Sequence, residues 1–80
     1  MDAEVFLTSD LARAARALTK VSVNTIAKGA DLTKERVREF EKGVISLTAD
    51  EKARLHASLE KYGVVFLEDE QRVGYGVRRK

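Results

Sequence analysis

Lys34, Arg38 and Lys42 recur at every fourth residue, so on a helix they stand in one ridge about 12 Å long. Like charges at that spacing cost an isolated helix a few tenths of a kcal/mol per pair, a cost that a bound polyanion reverses. Glu35 and Glu39 share the outward side of the same segment, which makes it a mixed-charge face rather than a uniform one. Residues that could support other chemistry are few. There is no cysteine, and the single histidine, His56, lies at the edge of an apolar helix stripe beside Leu55 and Leu59. A lone histidine with no thiol nearby does not make a metal site and reads as a packed or surface side chain. The glycines, at 29, 43, 63, 74 and 76, do not form a phosphate-cradling loop between a strand and a helix. With no base, nucleophile or metal for a dry pocket, the chain reads as a non-enzyme without cofactor, metal or evident small-molecule ligand.

The elements that would position the ridge can be read from caps and periodicity. Thr8 is an N-cap, and Leu11, Ala14, Ala15 and Leu18 recur at helical spacing, predicting a first helix over 9–19. Ser22 caps a second, two-turn helix with Val23, Ile26, Ala27 and Ala30 in a stripe that Asp31 interrupts. Thr33 is a fresh N-cap two residues later, Val37 and Phe40 mark an inner face, and Gly43 stops this third helix. Thr48 and Glu51 form a capping box that opens a fourth helix near 49, carrying Ala53, Leu55, Leu59 and Tyr62 inward as far as Gly63. Val64-Val65-Phe66-Leu67 then reads as a strand, and 76–80 as its return after a polar turn. The expected architecture is mostly α, four helices and a C-terminal β-hairpin, in one domain over 1–80 with a helical core at 8–63 and an extension at 64–80.

At 80 residues with 15 basic and 13 acidic side chains, the core is thin and the net field too weak to identify a partner; the distribution of charge has to decide. No disulfide can supplement such a core, so association is the route to added stability. The N-terminus carries acid where an export signal carries positive charge, and no apolar run reaches membrane-spanning length. A cytoplasmic protein without a membrane partner is expected.

The order Ser22-Val23-Asn24-Thr25-Ile26-Ala27-Lys28-Gly29-Ala30-Asp31-Leu32-Thr33, followed by Val37, Phe40, Glu41 and Gly43, resembles the XRE family of Cro and lambda-repressor-like helix-turn-helix proteins. Arg13-Ala14-Ala15-Arg16-Ala17-Leu18, Gly63-Val64-Val65-Phe66 and Gly74-Tyr75-Gly76-Val77-Arg78 resemble a compact subgroup with a short β extension, so that the likeness runs through nearly the whole chain. The resemblance implies a transcriptional regulator, a dimeric repressor of a palindromic operator on double-stranded DNA, with the third helix in the major groove. It assigns base reading to Thr33, Lys34, Glu35 and Arg38, and phosphate positioning to Ser22, Arg36 and Lys42. It also implies an ion pair between Arg16 and Glu41 that links the first and third helices. Two positions depart from the family pattern. Val23 stands where a DNA-touching glutamine is usual, and Asp31 where the turn has glycine. Val23 and the outward glutamates favour an alternative, a protein-interaction module of antiactivator or antitoxin type that keeps the fold and does not bind DNA.

The extension carries a separate expectation. A strand with one wet face alternates apolar and polar residues, yet Val64, Val65, Phe66 and Leu67 offer apolar side chains to both faces. These four residues with Val77 are therefore expected to form a homodimer interface.

Overall fold

The computed structural model describes residues 6–68 and 75–79; the expected polar turn at 69–74 and the acidic N-terminus fall outside them. The described chain forms α1 (Ser9–Thr19), α2 (Val23–Gly29), α3 (Lys34–Glu41), α4 (Ala49–Lys61), β1 (Val64–Glu68) and β2 (Tyr75–Arg79). Every helix opens on a hydroxyl cap. Thr8, Ser22, Thr33 and Thr48 each accept a hydrogen bond from the backbone amide three residues on, and the Thr48–Glu51 capping box is closed in both directions. Four caps at the four expected positions fix where each helix begins.

The helix ends are set as locally. After α3, Gly43 adopts φ 78°, its amide donates to the Phe40 carbonyl, and Val44 N–H reaches back to Glu39, a Schellman closure. The same closure ends α2 with a non-glycine at its centre: Asp31 has φ 56°, and Leu32 N–H donates to the Ala27 carbonyl at 2.9 Å. A left-handed aspartate costs less than most side chains there but more than glycine. Arg54 of α4 offsets that cost, donating Nη1 to the carbonyls of Ala30 and Asp31 at 3.1 and 3.0 Å.

The core is one cluster in which Ala15, Ile26, Ala27, Val37, Phe40, Leu55, Leu59 and Val64 are almost fully enclosed. α2 and α4 approach closely because Gly29 faces Ser58: a Cβ at position 29 would lie 2.6 Å from the Ser58 hydroxyl. That hydroxyl is buried and donates to the Ile26 carbonyl at 2.8 Å, so it cannot swing aside without losing its bond.

β1 and β2 pair antiparallel in the register Val64–Arg79, Val65–Arg78, Phe66–Val77 and Leu67–Gly76. β1 lies against α4 and β2 against α1. Val64, Phe66 and Val77 share the face turned to the helices; Phe66 stacks on His56 with ring centroids 4.1 Å apart, and His56 Nδ1 is 3.1 Å from Glu60. The opposite face carries Val65 and Leu67, the latter 43% exposed. This corrects the expected interface. Val64, at 1% exposure, has no surface to offer a second copy, and Phe66 and Val77 are turned toward this chain's own helices. Only Val65 and Leu67 lie on the outward face.

Candidate functional site

The outer surface of α3 is shaped by which of its cations the fold neutralises. Val37, Phe40 and Glu41 point inward and are buried, which leaves Lys34, Glu35, Arg38, Glu39 and Lys42 exposed. Glu41 is the buried member of a bidentate pair with Arg16 of α1, Nε to Oε2 at 2.8 Å and Nη2 to Oε1 at 2.9 Å. The carboxylate raises the Arg16 guanidinium above its ordinary pKa through that hydrogen bond, against the opposing effect of burial.

Arg36, expected on phosphate, is engaged within the fold. Its Nη2 donates to Glu51 Oε1 at 2.7 Å and its Nε to the other carboxylate oxygen, tying α3 to the first turn of α4. The fork engages Nε and Nη2 of a side chain that is 40% exposed, which leaves Nη1 to meet a polyanion. The sequence gives no sign of the pair because Glu51 already has a role in the capping box, and the carboxylate performs both. Its Oε1 accepts from the Thr48 amide and from Arg36 at once.

These bonds, with Arg36 the larger influence and the Thr48 amide next, pull the Glu51 pKa down to about 2. A carboxylate whose folded pKa lies below its unfolded value near 4.5 contributes stability that is complete above that value and is lost as pH falls toward about 2. Acid titration of the melting temperature between those limits is therefore expected to show a decline that Glu51→Gln flattens. Parallel curves for the parent and variant would mean that Glu51 is not the group responsible.

Lys34, Arg38 and Lys42 have no ion-pair partner among the described residues, in contrast to Arg13, Arg16, Arg36 and Arg54. Thr33 and Ser22 are exposed and serve as helix caps; Ser22 Oγ accepts from Thr25 N at 3.2 Å and lies 3.0 Å from Thr25 Oγ1. Val23, at the glutamine position of the resembled family, is 8% exposed and belongs to the core. It presents nothing to a ligand. Among the described residues no cluster of histidine or carboxylate side chains is arranged to hold a metal ion, and no helix is long and apolar enough to cross a membrane. The chain matches no family model, and the search of curated proteins returned no match.

Proposed function

We propose that the protein is a DNA-binding transcriptional regulator of the Cro and lambda-repressor helix-turn-helix type, a dimeric repressor that presents α3 to the major groove of double-stranded DNA. The observation that carries the reading is the ridge of Lys34, Arg38 and Lys42, exposed on the outer side of α3 and unpaired among the described residues. α2, the Asp31 turn and α3 supply the support such a ridge needs, with the turn buttressed from α4 by Arg54. In this mode Lys34 donates to guanine, Glu35 accepts from cytosine, and Thr33 and Arg38 reach the edges of neighbouring bases, while Lys42 and Ser22 rest on phosphates. Arg36 contributes indirectly by fixing α3 against α4.

Binding to duplex DNA from upstream of the protein's own gene, followed by fluorescence anisotropy across a salt series, tests this. The affinity is expected to fall steeply with salt, and each of Arg38→Ala and Lys42→Ala to lower the slope of log K against log salt by about 1. Lys34→Ala and Arg38→Ala are expected in addition to narrow the gap between the preferred sequence and a random one. Parent-like binding by all three variants, or no binding at low salt, would exclude the α3 ridge as a DNA-contacting surface.

The second reading is a protein-interaction module on the same scaffold. Buried Val23, which replaces a base-contacting side chain, and the exposed carboxylates of Glu35 and Glu39 support it. A stable complex with a protein partner, together with no shift of DNA at low salt, is the result that selects it.

A further inference from the structure

A cleft of about 410 Å³ opens between α1 and α3, lined by Arg13, Arg16, Arg38, Glu41 and Lys42. Four cations face one carboxylate there, and the carboxylate is fully engaged by Arg16. Arg13 is partly committed, with Nη1 to the Glu41 carbonyl at 3.1 Å and Nη2 to Asp10 at 2.6 Å, but it and Asp10 remain largely exposed, so their pairing is solvent-screened. Arg38 and Lys42 have no ion-pair partner among the described residues. Two unneutralised cations and one screened guanidinium thus converge on a single concave space, where their mutual repulsion is relieved by an anion of two or more charges. Arginine forks match the tetrahedral oxygens of phosphate, which a single carboxylate would satisfy less completely.

We propose that this cleft binds a small molecule through a phosphate or pyrophosphate group, held by Arg13 from α1, by Arg38 from α3 and by Lys42 at the C-cap of α3. The volume falls within the range of small-molecule sites and exceeds what a lone phosphate fills, which leaves room for the group that carries it. The Arg16–Glu41 pair, part of the same lining, ties α1 to α3 through its bidentate bonds. Because Arg38 and Lys42 also belong to the ridge proposed to meet DNA, an occupied cleft competes with DNA. That consequence rests on the DNA-binding reading; the binding site itself does not.

The test uses the whole chain without DNA. Inorganic pyrophosphate titrated into the ¹⁵N-labelled protein at constant ionic strength, with sodium chloride as the reference salt, is expected to shift the amides around Arg13, Arg38 and Lys42 saturably. Arg38→Ala and Arg13→Ala are each expected to weaken binding about tenfold or more, the loss of one charge-assisted contact. Lys28→Ala, an exposed cation on α2 outside the cleft, should bind as the parent does. The three variants alter exposed side chains, and melting curves check that they fold. Absent or unsaturable shifts, or equal affinity in the Arg38→Ala and Lys28→Ala proteins, would overturn the proposal. A duplex titrated in parallel separates the two sources of phosphate: shifts at Arg13 and Arg38 with the duplex and none with pyrophosphate would make the ligand a nucleic-acid backbone and reject the small-molecule site. Failure of the DNA reading appears separately, as pyrophosphate binding by a protein that does not bind duplex.

Discussion

Arg16→Ala is expected to cost about 3 kcal/mol or more, the usual penalty for stranding one member of a buried ion pair, and in a domain of this size that lowers the melting temperature by more than about 10 °C. The size of the loss depends on which partner is enclosed. The Glu41 side chain is 7% exposed and that of Arg16 30%. Removing Arg16 leaves a carboxylate inside the α1–α3 interface with both oxygens deprived of their donors. Removing the charge of Glu41 instead leaves a guanidinium that can turn its free edge to water, and in Glu41→Gln the amide oxygen still accepts one of the two bonds. Glu41→Gln should therefore cost clearly less than Arg16→Ala. Arg16→Lys should fall between them, because the ammonium keeps the charge but cannot make the fork. Thermal melts of the three variants at neutral pH decide it: equal losses for Arg16→Ala and Glu41→Gln would show that the enclosure of Glu41 does not set the cost, and a change of only a few degrees in Arg16→Ala would show that the pair is solvated.

The contrast between the two arginine forks explains how far the sequence can be read. Helix starts are legible because a threonine or serine cap acts over three residues, and all four stand where the hydroxyls stand in the sequence. Gly43 and the strand pair are legible for the same reason, since left-handed geometry and β propensity are properties of short segments. The Arg16–Glu41 pair spans 25 residues, and nothing local in either helix selects those two among 15 basic and 13 acidic side chains; only the resemblance to a family suggests it. The Arg36–Glu51 pair spans 15 residues and has no such guide, so from sequence Arg36 goes outward with the rest of the α3 cations. Helical periodicity places a residue on a face but does not say which neighbouring helix covers that face. Arg36 reaches beyond its own helix to the first turn of α4, where the Glu51 carboxylate takes both of its donors. The cleft is hidden from sequence for a related reason. Arg13 and Arg16 on one helix and Arg38 and Lys42 on another are ordinary separately and become one basic cavity only when α1 and α3 are side by side.

On the proposed reading as a dimeric repressor, Leu67→Asp is expected to convert a dimer into a monomer and to weaken binding to a palindromic operator by about a hundredfold or more, the range in which a second linked contact contributes avidity. The chain measures 35 × 26 × 24 Å, so in the proposed mode one copy would span one major groove, while two copies related by a twofold axis would place their α3 helices about 34 Å apart on successive grooves. Self-association needs a surface, and the hairpin supplies one. Its inner face is already used, with Val64 enclosed in the core and Phe66 stacked on His56. Its outer face carries Val65 and Leu67 beside Gly76 and Arg78, an apolar pair on a two-stranded sheet in which neither β1 nor β2 pairs with a further strand among the described residues. A second copy can cover that face and, by strand addition, satisfy the free backbone edge as well. An aspartate at Leu67 puts a charge at the centre of such an interface but stays solvated in the separate protomer, where the position is exposed. The variant should thus keep the parent's circular dichroism and lose only its partner. Phe66→Asp is the contrasting substitution, since it breaks the stack on His56 and should destabilise the protomer itself. Sedimentation equilibrium at tens of micromolar, paired with operator titrations, measures both effects: a monomeric parent, or a Leu67→Asp protein that remains dimeric, would remove the hairpin from the assembly and leave the spacing of the two α3 helices to some other contact.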